Sequence, residues 1–323
     1  MNPAMSDIDR VLRSNLKLKH LQLIVALDEF RHLGRSAEFL SLTQPAVSKS
    51  LAEIERMFGL DLFLRSTRGT EPTAYGEKVA RFARSVLADF DRTREDIAII
   101  GSGGAGRIRL GAMVVAMPGL VAESVLRLKA ESPNTTVSIE EGDLSRLLPR
   151  LRVGELDFIV GRLEPGYAAP DLETEPLYAE SMRVIVAPDH PLARVRKPTW
   201  AMLATQPWVV PPAWASSRIK LAQLFYKHRL DPPSDIIESA SYLVTVTFVR
   251  QRHCVAFVAG DVARQLQADA AAVPLAMTVP IELPRVGLLR LRTALRTPAG
   301  DRLQEILRCL ARQGQTARVK RRN

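Results

Sequence analysis

Between Lys17 and Gly76 the apolar residues return every three or four positions, broken by short polar turns. That spacing belongs to amphipathic helices sharing one core. Leu18, Leu21, Ile24 and Val25 form one side of an opening helix over Lys17 to Arg31. A second helix is predicted from Arg35 to about Leu42, with Ala37 and Leu40 turned inward. A third follows at once. Thr43 offers its hydroxyl as a cap, and Pro45 sits early, where a missing N–H costs nothing. Val47, Leu51, Ile54 and Phe58 supply its core face, leaving Gln44, Ser48 and Lys49 on the other. Arg65, Thr67 and Arg68, with Gly69 for the bend, then form a basic hairpin. A duplex groove accepts such a helix, and its phosphates accept the arginines.

The pattern changes at Tyr75. Val79, Phe82, Val86, Leu87, Phe90, Ile97 and Ile100 continue at three- and four-residue steps, with charges between them. A helix of about 26 residues spans about 39 Å, more than its own small domain covers. The stripe predicts pairing with a second copy through Val79, Phe82, Val86, Phe90 and Ile97. GSGGAG at 101–106 reads as a flexible joint. It also fits a dinucleotide-binding spacing, but that motif needs a strand before the glycines and a helix after, and here the order is reversed.

Strand and helix patterns alternate from there. Strands are predicted at Ile108 to Ala112, Thr135 to Glu140 and Asp157 to Val160, with helices at Leu120 to Ala130 and Leu144 to Val153. A second set holds a strand near Val184, the Trp208–Val210 strand, the Arg218–His228 and Tyr242–Gln251 helices and the Val255–Val258 strand. Val286 to Leu291 adds a strand and Asp301 to Ala311 a final helix. This is α/β wrapping around a mainly parallel sheet.

Composition sets bounds. At 323 residues and 46% hydrophobic, the chain can bury a large core in two or three domains. A formal charge of +10 favours a polyanionic partner. From Lys17 to Glu71, however, eight basic residues face seven acids, so the placement of particular residues, rather than total charge, points to DNA. Much of the excess lies near the end, where Arg318, Lys320, Arg321 and Arg322 read as a solvated basic tail. Cys254 and Cys309 are far apart and lack metal-ligand spacing. With no apolar leader in the first fifteen residues and no membrane-length run, the expected compartment is the reducing cytoplasm.

The blocks TQPAVSKSLAEIE, LFLRSTRG and TAYG closely resemble the winged helix-turn-helix of LysR-type bacterial transcriptional regulators, and the resemblance extends from about Leu16 to about Leu310. It implies an α plus α/β architecture. Residues 1–15 form an extension, 16–74 the DNA-binding domain, 75–100 the dimerising linker helix and 101–106 a hinge. An effector domain like a periplasmic solute-binding protein covers 107–316, and 317–323 is the tail. The implied subdomains are 107–180 with 281–316, and 181–280. The DNA-contacting set is Arg35, Thr43, Gln44, Pro45, Ser48, Lys49, Arg65, Thr67 and Arg68. The resemblance also implies double-stranded DNA, a small-molecule effector and a second copy of the chain as partners. It implies a dimer or tetramer, contact with RNA polymerase, and no membrane or cofactor.

In open α/β sheets ligands collect where strands end and helices begin. Those positions are Met113, Val114 and Val115, then Asp143, Arg162, Trp214, Ser216 and Ser217, and Tyr242. The family's inducer positions fall on Val115, Asp143 and the Trp214–Ser216 loop. Many relatives carry a hydroxyl where Val115 stands, so this wall is expected to be less polar. Core packing for Met113 to Val115, and an Arg162–Glu164 pair, are the plainer readings. KHLQLIVAL, RVGELDFIVGRL and TFVRQRHCVAFVA look most like the branch regulating protocatechuate and galactose-binding-protein genes. That branch implies an aromatic-acid or sugar-derived effector. Arg252, His253 and Cys254 stand where many relatives have Gly-x-Gly.

No P-loop, HExxH, nucleophile elbow or CxxC is present, and the histidines lack metal spacing, so no enzyme is expected. His253 and Cys254, as strand neighbours, point to opposite faces. Two alternatives stay open: a constitutive DNA-binding regulator with no effector, and a solute receptor without gene control.

Overall fold

In the computed structural model, which describes residues 11–66, 69–102, 106–294 and 296–320, the chain divides into two compact units. The first is essentially the chain up to Gly103. Its helices are α1 (Leu18–Phe30), α2 (Leu33–Phe39) and α3 (Gln44–Phe58). The antiparallel hairpin β1 (Phe63–Ser66) and β2 (Gly69–Pro72) follows, then α4 (Ala74–Ser102). Leu21, Ile24 and Leu27 of α1 meet Val47, Leu51 and Ile54 of α3 in one buried cluster.

Several local expectations change. α2 starts two residues early because His32 caps it, Nδ1 accepting from Gly34 N and Arg35 N. Residues 11–15 of the expected extension form a π-helical turn, and Val11 is buried in the core, so that part is structural. Residues 1–10 lie outside the described residues. α4 runs through Ser102, taking in the first two residues of the expected hinge, and 103–105 lie outside the described residues. Its apolar stripe divides. Ala80 and Ala83 are fully buried and Val79, Val86 and Leu87 pack on the unit's own core, whereas Phe82, Phe90 and Ile97 remain exposed. Val79 and Val86 therefore serve the monomer, correcting their assignment to a pairing surface alone.

The second unit holds two mixed five-stranded sheets. In chain order it contains β3 (Arg107–Ala112), α5 (Ala122–Glu131), β4 (Thr136–Glu141), α6 (Leu144–Arg152), β5 (Phe158–Arg162) and β6 (Leu172–Tyr178). Next come β7 (Met182–Val186), α7 (Trp200–Ala204), β8 (Trp208–Val210), α8 (Ser216–Lys227), β9 (Ile236–Glu238) and α9 (Tyr242–Gln251). The unit finishes with β10 (Val255–Ala259), α10 (Gly260–Ala268), β11 (Val273–Pro274), β12 (Val286–Leu291) and α11 (Pro298–Lys320).

One sheet has the order β4-β3-β5-β12-β6 and the other β11-β7-β10-β8-β9. The expectation of mainly parallel pairing is corrected. β3, β4 and β5 are parallel, but β12 runs antiparallel to β5 and β6. Likewise β8, β9 and β10 are parallel while β7 is antiparallel to β10 and β11. The antiparallel strands flank the two crossings between sheets, after Tyr178 and before Val286. A strand arriving from the other sheet needs no crossover helix to pair antiparallel. The short elements β6, β9, β11 and α7 are not among the predicted ones, and neither is α10, although its apolar residues do recur at helical spacing. α11 continues as helix through Lys320, into the expected tail, and residues 321–323 lie outside the described residues.

Candidate nucleic-acid interface and effector cleft

The exposed side of the first unit is built by α3. Its core residues Val47, Leu51 and Ile54 are fully buried and Phe58 nearly so, while Thr43, Gln44, Pro45 and Lys49 are exposed and Ser48 half-buried. Thr43 Oγ1 accepts from Ala46 N at 3.4 Å, and Gly59, at φ +65°, closes the other end. Arg35 is exposed on α2, which Ser36 pins to α1 through Oγ donating to Ala26 O and His32 O. The wing is held from behind. Glu55 Oε1 accepts from Leu62 N and Phe63 N at 2.9 and 3.0 Å. Gly69 has φ +142°, and a Cβ there would stand 2.6 Å from Arg31 O.

Arg65 does not extend freely from the wing. Its guanidinium donates to Ser48 Oγ at 2.8 Å and to Ser48 O at 3.4 Å, joining the two predicted contacts. Thr67 and Arg68 lie outside the described residues. Glu55 and His32, whose roles come from backbone N–H groups needing acceptors, are not among the predicted residues; a polar residue just before a helix is the signal for His32, whereas Glu55 sits inside α3 and serves N–H groups beyond it.

In the second unit the ends of the parallel strands face a cleft of about 450 Å³. Met113, Val114, Val115, Asp143, Arg162, Trp214, Ser217 and Tyr242 all line it. Ser216 does not line it, but its Oγ donates to Glu164 Oε1 at 2.8 Å, and Glu164 does. Val115 is buried, so the apolar wall is both core and cleft surface. Gly161 makes that wall possible: a Cβ there would lie 2.5 Å from Met113 Sδ. Asp143 caps α6, its Oδ1 accepting from Ser145 N at 2.8 Å and Arg146 N at 3.3 Å. Ser241 Oγ accepts from Val244 N and caps α9. Trp214 is half-exposed at the mouth.

Arg162 is 6% exposed at the end of β5. Among the described residues its Nε has no hydrogen-bond partner, and Nη2 meets Met182 Sδ at 3.9 Å. Burial lowers its pKa, opposed by the charge of Glu164 and then by Glu180 and Tyr178. Glu180 is also buried, with Oε1 accepting from Ser181 N and Gly260 N. Glu180 and the Pro211–Pro212 and Ser239–Ser241 walls are not among the predicted cleft residues.

Cys254 and Cys309 are free thiols. Burial raises the Cys254 pKa, the opposite of an activated nucleophile. Among the described residues no group of three or more His, Cys, Asp or Glu could hold a metal, and no helix is long and apolar enough to cross a membrane.

Comparison with known proteins bears on both sites. Residues 18–77 match the model of the bacterial regulatory helix-turn-helix protein, lysR family, and residues 101–312 match the LysR substrate binding domain. The HTH-type transcriptional regulator GbpR of Azospirillum brasilense is 32% identical over 82% of this chain and 78% of its own length. GalR of Pseudomonas putida, also an HTH-type transcriptional regulator, is 30% identical over 90% of this chain and 73% of its own. The crystal structure of full-length CbnR complexed with its target DNA superposes with a TM-score of 0.68 at 17% identity, covering 91% of this chain and all of CbnR, a likeness of fold. With a lysR-family helix-turn-helix at one end and the matching substrate-binding domain over most of the remainder, the chain belongs to the LysR family of bacterial transcriptional regulators.

Proposed function

We propose that this regulator reads duplex DNA with the exposed face of α3 and senses an aromatic-acid or sugar-derived effector in the 450 Å³ cleft of its second unit. One observation carries the DNA reading. The four residues facing the core on α3 are buried, and the N-terminal half of the opposite face presents Gln44, Pro45 and Lys49 to solvent. Those groups can reach base edges and thymine methyls. Arg35 and Arg65 serve the phosphates, with Thr67 and Arg68 as further wing contacts. Phe82, Phe90 and Ile97 lie along one exposed stripe of α4 and pair it with a second copy. Effector domains then join pairs into a tetramer.

Working in the cytoplasm, two reading helices enter successive major grooves, about 34–36 Å apart. Binding several sites bends the DNA, at a cost of order 1–6 kcal/mol. An effector with unequal affinity for two cleft closures changes that bend and the access of RNA polymerase. The size and mixed lining of the cleft favour this over a constitutive regulator.

Footprinting with the full-length protein upstream of its own gene tests the reading. Protected segments about one helical turn apart are expected, shifting when metabolites of neighbouring pathways are added. Protection unchanged by a Gln44→Ala, Lys49→Ala double substitution refutes the assignment of α3.

A further inference from the structure

Three features of the cleft converge on one kind of ligand. Arg162 is buried, its Nε unpartnered, its Nη2 facing only a thioether at 3.9 Å among the described residues. A guanidinium carries five N–H donors and cannot shed its charge, so a buried N–H left unpaired is costly even with the charges of Glu164 and Glu180 acting on the group. α8, by contrast with α6 and α9, starts at Ala215 with no side-chain cap, and its start lines the same cleft. The N–H groups of such a helix end favour an anion. Finally, a carboxylate already stands there. Glu164, two residues beyond Arg162, accepts from Ser216 at the first turn of α8 and so ties a loop of one sheet to a helix of the other.

We infer that the effector is a carboxylate whose head takes the place of Glu164 at the start of α8 and accepts from the unpartnered Nε–H of Arg162; this rests on the cleft being the effector site. The other acids do not favour a cationic ligand instead. Asp143 is engaged in capping α6, Glu141 is exposed at the rim, and Arg146 shares the lining. The body of the ligand meets Met113, Val114, Val115, Pro211 and Phe257, an apolar wall suited to a ring or short carbon chain. Glu164 is thereby a built-in competitor. Displacing it breaks the Ser216–Glu164 bond between subdomains, so filled and empty clefts differ in a defined contact, which a ligand-driven switch requires.

Calorimetry on the full chain tests this with two matched pairs, benzoate against benzamide and galactonate against galactose. The wild type should favour at least one acid over its neutral partner by about tenfold or more. Arg162→Met should abolish that preference, with Arg162→Lys retaining part of it as a charge without the planar fork. Glu164→Gln should strengthen acid binding several-fold by weakening the competitor. Equal or tighter binding of the neutral partners overturns the carboxylate while leaving the cleft intact, provided Ala240→Trp, on the lining, abolishes that binding. Acid binding untouched by Ala240→Trp defeats the cleft reading itself. Silence from all four compounds, or an acid preference indifferent to Arg162→Met, overturns the inference.

Discussion

The reading face of α3 and the effector cleft treat polar residues in opposite ways. On α3 the polar side chains project to solvent, backed by Val47, Leu51 and Ile54 from one continuous helix. In the cleft a guanidinium is buried, and the groups around it come from strand ends and helix starts on two sheets, including β5, β8 and α8. The first arrangement presents hydrogen-bonding groups that water satisfies until DNA replaces it. The second excludes water beforehand, so its donors are stronger toward a matching ligand and costlier without one. A surface reader can thus tolerate many sequences, whereas a buried receptor discriminates by leaving the wrong ligand's partners unpaired.

The strongest way to break this contrast is to remove the support behind the surface. Leu51→Ala empties a fully buried position and should cost about 2–5 kcal/mol. Denaturation followed separately in the two units should show the loss in the first alone. A matching loss in the second would mean that the two do not unfold independently.

Next in size are the contacts themselves. Lys49→Ala should cost roughly 1–3 kcal/mol on a specific operator if it reads a guanine, with little loss on random DNA. Equal loss on both would reassign it to phosphate. Arg65→Ala should weaken all sequences and flatten the dependence on salt. Because Arg65 also holds Ser48 at 2.8 Å, it should blur base preference as well; a change in salt slope alone would separate wing from reading helix. Thr43→Ala removes a cap and should lower stability by about 1 kcal/mol, seen in thermal melts.

The smallest effect is pH dependence. His20 in the first unit and His190 in the second are held below the ordinary histidine value, chiefly by burial. The charge of His253, with its ring 5.9 Å away, pushes His190 the same way, while a hydrogen bond with the His253 backbone and the charge of Asp189 oppose it. A depressed folded-state pKa means that the unfolded chain binds protons more readily. Stability is then present above the unfolded value of about 6.5 and lost as pH falls below it toward the folded pKa. Denaturation midpoints of both units should therefore drop between about pH 7.5 and pH 5.5. His20→Gln should flatten the first alone and His190→Asn the second alone. Each ring accepts a backbone N–H through Nδ1, from Lys17 and Leu192 respectively, so amide replacements keep an acceptor.

The sequence by itself determined whatever depends on neighbours along the chain. α3 was legible because its cap, its proline and its four core residues lie within sixteen positions of one another, at a single period. The Trp208–Val210 and Val286–Leu291 strands and the Tyr242–Gln251 helix were legible for the same reason. The cleft candidates followed from a rule about strand ends, and all but Ser216 line the cavity. Tertiary structure alone decided the rest. Which half of the α4 stripe packs on its own unit, the antiparallel course of β7 and β12, the return of Arg65 to Ser48 and the burial of Arg162 against Met182 and near Glu180 all join residues distant in sequence. Periodicity reports which side of an element avoids water; it carries no record of what meets that side, and burial of a charge depends on every element that closes over it.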